Sequence, residues 1–278
     1  MNGFIYLLLL VALIVVSVIY LPDLLLRRVL ARPFPGAFSK ILRENIPVYS
    51  RMPVDLQLQL KRLIRQFLHQ KKFVGCGGLV MTDVVRVTIA ARACLLLLNR
   101  PLQPGRVYPD LRMVLVYPSA FVAPHVEMTE GGVVTHGNQT LSGESWSDGR
   151  VILAWDHVQK NNAHLPEGHD VVVHEFAHQL DSESGRTNGA PLMTSKAHYQ
   201  RWSEVLTEEF AILQHAAQTH SSSVLDYYGA TNPAEFFAVA TETFFEKPWE
   251  LGRQRLALFD QMRAYYQVDP RDWRDDPG

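Results

Sequence analysis

Residues 174–178 read His-Glu-Phe-Ala-His. On a helix, histidines four apart lie one above the other, because a turn takes 3.6 residues. Both imidazoles can then reach one tetrahedral zinc ion, and the glutamate between them is placed to take a proton from a metal-bound water. The chemistry implied is metal-assisted hydrolysis.

Two histidines do not complete a catalytic zinc site, which takes three protein ligands and leaves a fourth position for water. Downstream, Tyr228-Gly-Ala-Thr-Asn-Pro-Ala-Glu-Phe-Phe-Ala238 offers Glu235. Asn232 followed by Pro233 marks a helix start, which puts Glu235 in the first turn beside two phenylalanines. The spacing Asn232-x-x-Glu235 also fits a capping box, in which the carboxylate merely accepts from the Asn232 N–H. The residues alone leave these two readings level, with Glu242 as a second candidate ligand. Asp181, three residues after His178, shares its side of the helix. It can accept a hydrogen bond from a ligand imidazole or make a local bond at the helix end. His125, His136, His157, His164 and His169 have no partner at helical spacing and are expected in loops or on the surface, with His169 close enough to line a cleft.

These groups need elements to hold them. Apolar residues at helical spacing predict a helix over 53–70, and a second from Thr82 or Asp83 to about Leu98. Residues 112–118 and 151–155 read as strands, with turns and one or two weaker strands between. The second of these strands is expected to offer an edge to an extended peptide. A loop over 161–168 leads to Asp170, a cap for the helix carrying the histidine pair. Val171, Val172 and Val173 are poor helix formers, so burial must hold that turn. Further helices are expected over 194–217 and from Pro233 to about Gln267, with a polar loop over 218–231 between them. Helices, then a small strand group, then helices bearing the chemistry make an α+β protein.

At 278 residues and 47% hydrophobic content, the chain can bury a substantial core, as one large or two small domains. A formal net charge of −1 gives no electrostatic case for nucleic-acid binding. Cys76 and Cys94 are too few for a disulfide framework, and Cys94 reads as a buried free thiol in a reducing compartment. From Asn2 to Pro22 there is no charged side chain, and Phe4 to Leu21 would span roughly 27 Å as a helix. No basic residue precedes this run and no small-residue cleavage site follows it, so an uncleaved transmembrane anchor fits better than a signal peptide. Arg27, Arg28, Arg32 and Lys40 follow it, which predicts a single-pass inner-membrane protein with its catalytic domain facing the cytoplasm. The expected organisation is an anchor over 1–22, a juxtamembrane connector over 23–52, a catalytic domain over 53–270 and a tail over 271–278.

The stretches His174–Asp181 and Tyr228–Ala240 together resemble the Mlc titration factor A family of zinc peptidases. Further agreement comes from Phe73–Leu79, Ile89–Leu98, Tyr117-Pro-Ser119, Ser142–Trp146 and Asn188-Gly-Ala-Pro191, and the similarity covers about residues 55–270. The paired metal segments are also similar to the catalytic domain of anthrax lethal factor. The resemblance implies a zincin-like domain of helices around a small mixed sheet, with one Zn2+ per chain held by His174, His178 and Glu235. It makes Glu175 the general base and Tyr228 an oxyanion stabiliser, with Tyr227 able to exchange roles with Tyr228. It further implies a peptide or protein substrate, aminopeptidase-like activity, and a regulatory protein partner, a glucose-responsive transcriptional repressor. The N-terminal anchor departs from the best-known members, which are soluble. The competing expectation is a regulatory protein that captures such a partner, with the metal site mainly structural. A protease cutting within the bilayer fits poorly, because the histidine pair lies about 150 residues from the apolar run.

Overall fold

A computed structural model describes residues 2–100, 106–119, 121–128, 134–141, 143–146, 149–160 and 169–278. The loop expected over 161–168, with His164, lies outside the described residues. In chain order the elements are α1 (Asn2–Ala31), α2 (Gly36–Asn45), α3 (Val54–Gln70), β1 (Lys72–Gly75) and α4 (Asp83–Leu95). There follow β2 (Met113–Tyr117), β3 (Phe121–Met128), β4 (Val134–Leu141), β5 (Gly143–Trp146), β6 (Arg150–Ala154) and α5 (Trp155–Lys160). The chain continues through α6 (Val171–Ser182), α7 (Lys196–Thr219), α8 (Pro233–Glu246), α9 (Pro248–Gln254) and α10 (Leu256–Tyr266). This is the expected α+β class, mostly helical around a small mixed sheet.

The sheet runs β1-β2-β6-β5, with β1, β2 and β6 parallel and β5 antiparallel to β6. β6 is therefore an inner strand, and its expected role as a peptide-binding edge is corrected. Both of its sides are taken by ladders, and the edge falls to β5, which lies against α6. Val114, Val116, Val151 and Leu153 are fully buried, consistent with parallel strands covered by helices. β3 and β4 form a separate antiparallel pair, with His125 opposite Gly137 and Val126 opposite His136.

α6 is fixed through its middle. Phe176, inside the histidine motif, is fully buried against Phe67 of α3 and Tyr108, at ring-centroid distances of 5.6 and 4.9 Å. Val172 and Val173 are buried, as the helix start required. Asp170 caps that start, its Oδ1 accepting from the N–H groups of Val172 and Val173 at 2.9 and 3.2 Å. Such a cap contributes about 0.5–2 kcal/mol. The other Asp170 oxygen lies 3.3 Å from the Arg92 guanidinium of α4, both side chains being buried. α8 packs through Phe237 and Phe244 into an aromatic cluster with Trp202, Phe259, Tyr265 and Tyr266, and through Phe236 against Phe210. Both cysteines are free, Cys94 buried and Cys76 half-buried.

The expected transmembrane anchor is corrected. Among the described residues no helix is long and apolar enough to cross a membrane. The uncharged stretch does not end at Pro22. It is the first part of α1, which continues through Pro22 and on past Asp23, Arg27 and Arg28 to Ala31. The end of α1 is docked on α3: Leu26 is buried, and Arg65 donates to the Leu30 carbonyl at 3.1 Å. With the anchor go the single-pass inner-membrane placement, the assignment of the catalytic domain to the cytoplasmic face, and the membrane as a partner. Ile41, Leu42, Ile46, Val48, Tyr49 and Met52, from the segment just after α1, lie in the same core as α3, α6 and α8.

Candidate metal centre

One turn of α6 sets the Nε2 atoms of His174 and His178 3.2 Å apart. The first turn of α8 brings Glu235 Oε2 to 3.0 Å from His174 Nε2 and 3.4 Å from His178 Nε2. Ligand atoms bound at about 2.0–2.1 Å to a tetrahedral zinc stand about 3.3 Å from one another, so this triangle fits a single ion. Among the described residues it is the one His/Cys/Asp/Glu cluster with such spacing. Asn232 Oδ1 caps α8 by accepting from Ala234 and Glu235 N–H groups at 2.9 and 3.0 Å. The Glu235 carboxylate does not close a reciprocal capping box; it faces the imidazoles.

Glu242, the alternative ligand, stands behind the cluster rather than in it. Its Oε1 accepts from His174 Nδ1 at 2.7 Å, and its Oε2 accepts from the Asp170 backbone N–H at 2.7 Å. One buried carboxylate thus sets the tautomer of His174, leaving Nε2 for a metal, and ties α8 to the start of α6. Glu235 and Glu242 are seven residues apart, two turns along one helix face, and that spacing was the signal for two stacked roles.

The electrostatics follow from packing three acids around two imidazoles. Burial works against charge on His174, but hydrogen bonds to Glu235 and Glu242 outweigh it and raise its pKa to about 10. Burial also opposes charge on Glu235, yet the two imidazoles bring it down to about 2. A divalent cation would therefore displace a proton from His174 as it bound. Burial pushes Glu175 up to about 7 against the pull of both histidines. Glu175 is 5% exposed, and its Oε2 has no hydrogen-bond partner among the described residues. A buried carboxylate oxygen left without a hydrogen bond is costly.

The turn before α8 presents Tyr228. Its ring centroid lies 6.0 Å from that of His174, and the side chain is 57% exposed, so it overhangs the metal cluster from the solvent side. Burial and the charges of Glu235 and Glu175 raise its hydroxyl pKa. Tyr227 points elsewhere, its hydroxyl donating to the Ser221 carbonyl at 2.6 Å, and so does not exchange with Tyr228. His169 pairs at the surface with Asp226, which caps the Tyr228 turn.

Asp181 makes neither of the bonds its spacing suggested. Its Oδ2 accepts from the Gly189 N–H at 2.7 Å, while His178 Nδ1 has no partner among the described residues. The Gly189 carbonyl accepts from Trp202 Nε1 at 3.0 Å. Gly189 has φ +77°, and a Cβ there would meet the Pro233 carbonyl oxygen at 2.3 Å. The loop after α6 is thereby clamped between Asp181, one turn past His178, and Pro233, two residues before Glu235. Gly189→Ala should force the start of α8 outward and weaken metal affinity by at least about tenfold. Competition of the variant against a chromogenic zinc chelator checks this, and unchanged affinity would show that the clamp does not set the ligand spacing.

Comparison with known proteins shows the family of the chain. The family model described as glucose-regulated metallo-peptidase M90 matches residues 24–267. An uncharacterized protein of Synechocystis sp. is 40% identical over 245 residues, covering 88% of each chain. Mlc titration factor A of Klebsiella pneumoniae is 32% identical over 228 residues, 81% of this chain and 84% of that one. Mlc titration factor A of Escherichia fergusonii is 31% identical over the same length. With the helix pair, the ligand triangle and a family match over most of its length, the chain belongs to the glucose-regulated metallopeptidases of family M90.

Proposed function

We propose that this metallopeptidase is a zinc enzyme that hydrolyses peptide bonds, with aminopeptidase-like preference. The observation that carries the reading is a metal-sized triangle of His174, His178 and Glu235 beside the buried Glu175, whose Oε2 has no partner among the described residues. Two nitrogens and one carboxylate oxygen form a donor set that suits zinc and leaves one position open. When bound, zinc supplies a Lewis acid and a water acidic enough to be a nucleophile near neutral pH.

The protein's own groups do the rest. Glu175 takes the proton of the attacking water and delivers it to the leaving amine. Its position between the two ligand histidines keeps it on the side of the site where that proton is released. As the scissile carbonyl becomes tetrahedral, the Tyr228 hydroxyl donates to its oxygen. Glu242 holds the His174 ring in place throughout. The free side of β5 is the sheet edge nearest α6 and offers main-chain groups to an extended substrate.

A second reading comes from the relatives named for titrating Mlc. By that likeness this chain would bind a regulatory protein such as a transcriptional repressor, its metal serving structure. Structural zinc sites are normally closed by four protein ligands and need no base, so three ligands and the buried Glu175 favour catalysis. The test is cleavage of aminoacyl and internally quenched peptide substrates, with and without a chelator. Hydrolysis that stops on chelation and returns with zinc is expected. Metal-replete protein that cleaves neither substrate class would leave the binding reading in its place.

A further inference from the structure

We propose that Arg92 is a positioning residue of the metal centre, acting through Asp170 to keep Glu242 on His174. The inference rests on His174 being a metal ligand, as argued above. Every buried residue of α4 is uncharged except Arg92, which is 4% exposed. A guanidinium taken out of water is costly unless a partner compensates it. The partner is the buried Asp170, its carboxylate 3.3 Å away.

Asp170 is where the bonds that aim His174 meet. Its backbone N–H donates to Glu242 Oε2 at 2.7 Å, and the other oxygen of Glu242 accepts from His174 Nδ1 at 2.7 Å. The Asp170 carbonyl accepts from the His174 backbone N–H at 2.8 Å, so backbone and ring of that histidine are both referred to one residue. Asp170 Oδ1 caps α6 at Val172 and Val173. Oδ2 is left over from these bonds, and it is the oxygen that Arg92 meets.

None of the bonds to α6 and α8 requires a charge on Asp170. An asparagine caps a helix as well as an aspartate does and has the same backbone. The charge is instead a difficulty for Glu242, a second carboxylate, 3% exposed and seated on the Asp170 N–H. Burial opposes ionisation of Glu242, and the charge of Asp170 acts in the same sense. Like charges that close in a site without water repel strongly. Glu246, one turn along α8, has its own cation in Arg274 at 2.8 Å. Arg92 is the cation placed to offset Asp170. Without it, repulsion would part Glu242 from the start of α6, and the His174 ring would lose its fixed acceptor. With the Asp170 charge removed as well, nothing needs offsetting.

The test is a cycle of four full-length proteins: the natural chain, Arg92→Leu, Asp170→Asn and the double variant. One readout is zinc affinity, by competition with a chromogenic chelator. The other is taken on metal-free protein by NMR: solvent exchange of the proton between His174 Nδ1 and Glu242, a signal identified by its loss in Glu242→Ala. Each single substitution should weaken zinc binding about three- to tenfold and speed the exchange by a similar factor, since each leaves one unpaired buried charge beside Glu242. The double variant should return to within about twofold of the natural chain in both readouts. Single variants that lose unfolding temperature yet keep natural affinity and exchange would overturn the proposal, because the pair would then serve the fold alone. A double variant no better than the singles would overturn it too, because Arg92 would not be acting through Asp170. Should Arg92→Leu fail to fold, Asp170→Asn against the double variant decides by the same criteria. The proton readout uses no metal, so failure of the zinc reading and failure of this inference are told apart.

Discussion

Glu175→Gln should bind zinc at one ion per chain and lose peptide hydrolysis by about 10²–10⁴ in kcat, with KM little changed. The amide matches the carboxylate in shape and sits where an unpartnered oxygen is buried, so the fold has no reason to suffer. What is lost is the one group between the two histidines able to accept and return a proton. Steady-state kinetics beside elemental analysis separate the two effects. Full activity in the variant would remove Glu175 from the mechanism, while loss of zinc would make it structural.

Glu235→Ala should abolish stoichiometric zinc, lowering affinity by more than about 100-fold, because two imidazoles alone leave the ion half-coordinated. Glu242→Ala should behave differently. It removes the acceptor for His174 Nδ1 but no ligand atom, so zinc should still fill the site at saturation with affinity about 10–100-fold weaker. Thermal unfolding reports the same contrast. Zinc at 1,000 times its dissociation constant stabilises a folded site by about 4 kcal/mol, a gain that Glu235→Ala should forfeit and Glu242→Ala should partly keep. The reverse pattern would exchange the roles of the two glutamates.

Much of this site was legible in the chain because its signals are local. The histidine spacing, the Asp170 cap and the Asn232–Pro233 start are each written within a few residues, and the helices form where those signals stand. Strands β2 and β6 were legible from β-branched runs. Their neighbours were not: β1 is four residues long, and its partner lies about forty residues on, so nothing local marks it. Strand order depends on such distant pairings, which is why β6 read as an edge and proved to be inner. The roles of Glu235 and Glu242 could not be separated by residue type, since both are glutamates on one face of α8 and only the depth of His174 between them decides. Gly189 lies in the Asn188-Gly-Ala-Pro191 segment, but its constraint is the Pro233 carbonyl 44 residues away in sequence, which that segment does not reveal. At the N-terminus the composition was informative about apolarity and misleading about extent. A run without charges does not reveal that the helix continues past it onto α3.

X-ray absorption at the zinc edge of the purified chain puts the central claim to its most direct trial. The arrangement requires two imidazole nitrogens and a carboxylate oxygen at about 2.0–2.1 Å, completed by a water-derived oxygen, with the imidazole signal lost in a His174→Ala, His178→Ala double variant. A first shell containing sulfur, four protein ligands with no exchangeable oxygen, or an unaltered imidazole signal in that variant would contradict it.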